Sequence, residues 1–198
     1  DSAGQKGTGK WTAINSLQLG VPLTLISEAV FSRFLSSLVE EREKASQTLK
    51  LISTTSNLDT KEYVQAVHDA LYASKIISYS QGYMLMHQAA KEYKWQLNYA
   101  GIATMWRGGC IIRSQFLDNI SHAYRNNADL GSLLMDDFFQ QIMLDCQPGW
   151  RKTICKAVEM GIPVPGFATA LSFYDAYRSK RLPANLLQAQ RDYFGAHT

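Results

Sequence analysis

Apolar residues recur every three to four positions through almost the whole chain after Lys10, the period of helices buried along one face. Trp11 to Leu19 reads as a short helix closed by Gly20, and Pro22 restarts the chain at a position helices tolerate. Leu25, Ala29, Phe31, Phe34, Leu35, Leu38 and Val39 then follow at helical spacings. The charged stretch Glu40 to Lys44 is expected to end that helix in solvent. Leu51 to Leu58 is polar and rich in Ser and Thr, as surface loops are. Asp59 can cap the next helix, with Glu62 at the capping-box position. From Glu62 to about Tyr93 the pattern predicts one long helix, apolar or small on nearly every side between Ala70 and Ser80. A helix without a polar face is normally buried among other helices.

Further helices are predicted over Asn98 to Arg107 and Cys110 to Asn126, divided by Gly108-Gly109. Others fit Leu130 to Cys146, Trp150 to Met160, Phe167 to Arg178 and Ala184 to Phe194. Pro148, Pro163, Pro165 and Pro183 fall near their starts, Gly161 and Gly195 at their ends. The only β-like stretch, Leu51 to Thr55, is short. The expected fold is all-α, a single multi-helix domain over residues 1–198 around a long buried central helix. Leu19-Gly20-Val21-Pro22-Leu23 is echoed by Met160-Gly161-Ile162-Pro163-Val164, with Ala29 and Ala170 at matching offsets. Duplication of a helical unit and coincidence both account for the echo, whose period is too long for a solenoid.

Composition narrows the function. Hydrophobic residues make up 46% of the 198 and charged ones 19%, as in ordinary globular domains. A net charge of +3, without a Lys/Arg-dense stripe, gives no footprint for nucleic acid. No apolar run reaches a bilayer's thickness, so no membrane is expected. Cys110, Cys146 and Cys155 are odd in number and lack C-x-x-C spacing, which points to free thiols and a cytoplasmic protein. His68, His87, His122 and His197 are too scattered to suggest a metal site.

The candidate chemistry lies at the start of the chain. Gly4-Gln5-Lys6-Gly7-Thr8-Gly9-Lys10 fits the phosphate-loop pattern G-x-x-x-x-G-K, but Trp11 occupies the place of the magnesium-binding Ser or Thr. No strand precedes the segment within the chain, and the dinucleotide fingerprint lacks its third glycine. The means of holding an anion remain: glycines for close backbone approach, Lys6 and Lys10, the Thr8 hydroxyl and a helix N-terminus. A solvated glycine-rich linker explains the composition equally well.

The same residues carry a family resemblance. Asp1 to Trp11, Leu71 to Tyr79, Met105 to Ser114, Thr169 to Arg178 and Gln190 to Thr198 resemble the motifs of decarboxylating 6-phosphogluconate dehydrogenases, and the resemblance spans essentially the whole chain. It covers only the C-terminal helical domain of that family, without the N-terminal dinucleotide-binding domain or the extreme C-terminal tail. It implies a part that binds substrate and forms a homodimer in an NADP-dependent enzyme of the pentose phosphate pathway, NADP itself being held mainly by the missing domain. It implies 6-phosphogluconate as the ligand, with Lys6, Thr8 and Arg33 on its 6-phosphate, and Arg191 and His197 serving the partner subunit's site. It places the lysine base and glutamate acid before this chain begins, so that no residue here is catalytic, no metal is used and the chain alone is inactive.

The residues taken by themselves leave blander readings open. Arg33 on an apolar helix can snorkel to water, and Arg191 and His197 can be a solvated helix end. Arg107 and Arg113 around Gly108-Gly109 suit a helix junction better than a second anion site, and Asp136-Asp137 a solvent-facing pair better than a catalytic one. Tyr72, Tyr79, Tyr83 and Trp106 are expected in the core or an interface. A helical module that dimerises and binds no ligand is the alternative to the enzyme reading.

Overall fold

A computed structural model of the chain describes residues 3–4, 6–51, 59–109, 114 and 116–195. Among these there are helices and turns and no strand: α1 (Thr8–Gln18), α2 (Thr24–Ser37), α3 (Val39–Thr48), α4 (Thr60–Tyr93), α5 (Tyr99–Gly109), α6 (Phe116–Asn126), α7 (Asp137–Glu159), α8 (Pro165–Tyr177) and α9 (Ala184–Gly195). One 3-10 turn, Leu133–Met135, leads into α7. The β-like stretch and most of the predicted 51–58 loop lie outside the described residues, as do Cys110 and Arg113.

The 34-residue α4 is the axis, roughly 50 Å long at 1.5 Å per residue. Asp59 opens it as expected, its carboxylate accepting from the amides of Lys61 and Glu62 at 2.9 and 3.1 Å. The middle of α4 is buried: Ala70, Ala73, Ile76, Ile77 and Tyr83 are fully enclosed. α7 lies against it through Met143, Cys146, Trp150, Thr153 and Ala157, which recur at three- and four-residue spacing. The α5–α6 hairpin covers α4 farther on, where Tyr79, Tyr83, Trp106, Phe116 and Tyr124 pack ring against ring. These aromatics are core. His87 joins them, its ring tilted over that of Tyr99 with centroids 3.9 Å apart, and burial lowers its pKa.

Two expected boundaries are corrected. The helix through Leu38 does not end in the charged stretch. It breaks at Leu38, and residues 40–44 form the body of α3. Arg42 reaches back from α3 to the Ser36 carbonyl at 3.0 Å, so the break is capped from the following helix. Pro148 does not start a helix either: α7 runs unbroken through Pro148 and Gly149. Pro148 and Leu144 both lie on the exposed side, so the carbonyl that proline leaves without an amide faces water. Gly149 lets α7 press against α4, since a Cβ there would sit 3.1 Å from the Cα of Ala66 and 3.0 Å from the Cβ of Asp69. Gly149→Ala is therefore expected to cost about 2 kcal/mol through overpacking, read by denaturant unfolding, although alanine is the better helix former.

The echoed joints fold alike. Gly20 and Gly161 take φ of +67° and +65°, and Val21 and Ile162 donate back to Ser16 and Ala157, each at 2.8 Å. The likeness stops there: Ala29 is exposed and Ala170 fully buried. The joints deliver α2 and α8, which pack on each other. Leu23, ahead of α2, provides no side-chain cap. The cap comes instead from the fully buried Gln81 of α4, whose Oε1 accepts from the Leu25 amide at 3.0 Å while Nε2 donates to Thr24 Oγ1 at 2.9 Å.

Candidate functional site

The glycine-rich segment enters α1 through Gly7, whose φ of +108° is open to glycine and strained for other residues. Thr8 is the first helical residue, and no side chain caps this end. The first internal bond runs from the Trp11 amide to the Gly7 carbonyl at 2.9 Å. The amides ahead of Trp11 are therefore those that an α-helix cannot satisfy by itself, and they point out of the N-terminus together with the positive end of the helix dipole. The Trp11 ring leans over Gly7, 3.9 Å from where a Cβ would stand. An indole there cannot serve as the magnesium-binding hydroxyl of a phosphate loop.

Arg33 closes the site from the side. It projects from α2, and its Nε donates to the Gly4 carbonyl at 2.8 Å while Nη2 closes on the same oxygen. The contact joins residues 29 positions apart and sets a guanidinium beside the loop that carries Lys6 and Thr8. Farther along, α1 and α2 are in close contact, since a Cβ on Gly9 would lie 2.8 Å from a Val30 methyl. The Lys6 and Thr8 side chains are exposed, and no hydrogen bond or ion pair engages the Lys6 ammonium among the described residues. A cation, a hydroxyl, helix N-terminal amides and a guanidinium are the donor types that a compact polyanion takes. Arg33 thus meets the glycine-rich segment at Gly4, two residues before Lys6 and four before Thr8.

Arg191 is not brought to this segment. That residue is exposed on α9, which buries no side chain against the rest of the chain. Leu186, Leu187, Tyr193 and Phe194 on the same helix are 75%, 67%, 86% and 78% exposed. His197 lies outside the described residues. Arg107 holds the α5–α6 hairpin, paired with Asp118 at 3.0 Å. Asp136 is not simply solvent-facing: it caps α7, accepting from the Phe138 and Phe139 amides at 3.1 and 3.4 Å. Cys146 is a buried free thiol whose pKa is pushed up to about 11 by burial and by the charges of Asp69 and Asp145, which favours the protonated form. Among the described residues no three of His, Cys, Asp and Glu converge as a metal site would require, and no helix is long and apolar enough to cross a membrane. Nor do the described residues offer a strand–glycine turn–helix unit of the kind that holds a dinucleotide. Ser36, which fastens Ala3 to α2, escaped the sequence reading. Its spacing of three from Arg33 was the available signal.

The family model of the 6-phosphogluconate dehydrogenase C-terminal domain matches residues 1–198. The chain belongs to that family. It is 61% identical over 201 residues to the decarboxylating 6-phosphogluconate dehydrogenase of Candida albicans, matching all of this chain and 39% of that protein. It is equally identical over 199 residues to the Rattus norvegicus enzyme, with 41% of that protein covered. The fold is similar to that of Plasmodium falciparum 6-phosphogluconate dehydrogenase, with a TM-score of 0.94, 42% identity, and cover of all of this chain and 43% of that one. The Plasmodium enzyme has been solved with its cofactor NADP+ and with its substrate 6-phosphogluconate. The chain thus spans about two fifths of the length of these family members.

Proposed function

We propose that this chain is the substrate-binding and dimer-forming part of an NADP-dependent 6-phosphogluconate dehydrogenase. The complete enzyme converts 6-phosphogluconate to ribulose 5-phosphate, CO2 and NADPH. The observation that carries this reading is Arg33 fastened to the Gly4 carbonyl, beside Lys6 and Thr8 and the open N-terminus of α1. A dianionic 6-phosphate suits that set: Arg33 meets two of its oxygens, Lys6 adds a point charge, and Thr8 and the amides fill the remaining acceptors. Anchoring the phosphate fixes where the sugar carbons lie, so that reaction at C3 becomes a matter of position rather than encounter. The groups that move protons and the dinucleotide belong to the part of the enzyme outside this chain. Work in the cytoplasm accords with the free thiols of Cys146 and Cys155.

Arg191, with His197, completes the site of a second copy in a homodimer. The support is α9 itself, whose Leu186, Leu187, Tyr193 and Phe194 stand exposed among the described residues. The test is complementation in the full-length enzyme. An Arg33→Ala subunit paired with an Arg191→Ala subunit leaves one site with both arginines intact. The mixed dimer is expected to show about half the wild-type activity, while each mutant homodimer is severely impaired, because one of its two sites keeps every charge-assisted contact. A correctly assembled mixed dimer as impaired as the homodimers overturns the shared site.

A further inference from the structure

The loop that bears Lys6 and Thr8 lies along one stripe of α2. Val30, Arg33 and Ser36 are spaced by three on that helix, and they meet Gly9, Gly4 and Ala3 in turn. The chain therefore runs antiparallel to α2, held at its far end by the Ser36 hydroxyl, which accepts from the Ala3 amide at 3.0 Å. At the next residue the Gly4 carbonyl accepts from both Nε and Nη2 of Arg33.

A guanidinium carries five N–H bonds, and this carbonyl takes two of them. The remaining three are the two on Nη1 and one on Nη2, the end-on fork that grips two oxygens of a phosphate at once. The side-on edge is thus occupied by main chain and the end-on edge is left for a ligand. A long exposed arginine without such a tether would lose much of its rotamer freedom on binding. Ser36 acts on Arg33 through two consecutive loop residues. Holding the Ala3 amide narrows where the Gly4 carbonyl, one residue on, can lie, and that carbonyl in turn holds the side-on edge of the guanidinium.

We propose that Ser36 is a positioning residue of the phosphate site, anchoring the loop so that the Gly4 carbonyl holds the Arg33 fork ready for the ligand. The proposal rests on the phosphate reading above. Its test uses the full-length enzyme with Ser36→Ala, Ser36→Thr and Arg33→Ala. Ser36→Ala is expected to raise KM for 6-phosphogluconate about fivefold, the effect of one lost hydrogen bond, and to weaken competitive inhibition by inorganic phosphate as much. KM for NADP and kcat stay within about twofold, a split that general loosening of the fold would not give. Ser36→Thr, which keeps the hydroxyl, restores both values.

If Ser36→Ala leaves both KM for 6-phosphogluconate and phosphate inhibition unchanged while Arg33→Ala weakens both, Ser36 has no positioning role and the phosphate site stands. If Arg33→Ala is also silent, the phosphate reading fails and this proposal with it. A shift in the KM for NADP as large as that for the sugar acid marks a structural effect and overturns the positioning role.

Discussion

Replacing Arg33 with alanine in the full-length enzyme will raise KM for 6-phosphogluconate by roughly 100-fold, while KM for NADP moves by less than about twofold. The size follows from what is lost. The end-on fork gives two charge-assisted hydrogen bonds to a dianion, and losing one such contact costs ~1.5–3 kcal/mol. The bond to the Gly4 carbonyl disappears as well, so the loop loses a tether 29 residues away in sequence. Arg33→Lys will recover only part of the loss, since an ammonium restores the charge without the planar fork. Steady-state kinetics with each substrate varied in turn decide the matter. An equal rise in both KM values would make Arg33 a structural residue.

The largest stability effect is expected at Trp150. Its ring is fully buried between α4 and α8, and its indole N–H donates to the Phe167 carbonyl at 3.1 Å. Trp150→Ala leaves a large cavity and removes the indole bond to the Phe167 carbonyl, a loss of about 4 kcal/mol. Trp150→Phe keeps most of the volume but not the donor and should cost about 1–2 kcal/mol. Denaturant unfolding measures both. A cost below about 1 kcal/mol for the alanine variant would show that the joint of α7 and α8 relaxes around the gap.

What the amino-acid order reveals here follows the range of the forces involved. The helices announce themselves because burial on one face imposes a local period, and Asp59 is legible because a cap acts within three residues. The break at Leu38 is hidden, since the group that caps it, Arg42, reads equally well as part of a solvated charged run. The passage of α7 through Pro148 is hidden too: proline's local preference argues for a boundary, and packing of Cys146 and Trp150 on α4 overrides it. At the site, Lys6, Thr8 and Arg33 could be named from motif and resemblance. The contact of Arg33 with the glycine-rich segment could not, because it is made to the carbonyl of Gly4, a group every residue possesses. Arg191 presents a different limit, for nothing within one copy of the chain says what α9 faces.

Gln81 links the core to this site in a way that hydrogen exchange can follow. The Leu25 amide belongs to the first turn of α2, where an uncapped helix frays and exchanges almost freely. Here it is held by a side chain from the fully buried face of another helix. Its proton can leave only when α2 lifts from α4. That one amide therefore reports the opening of the helix that carries both Arg33 and Ser36, separately from any unfolding of the core beneath it.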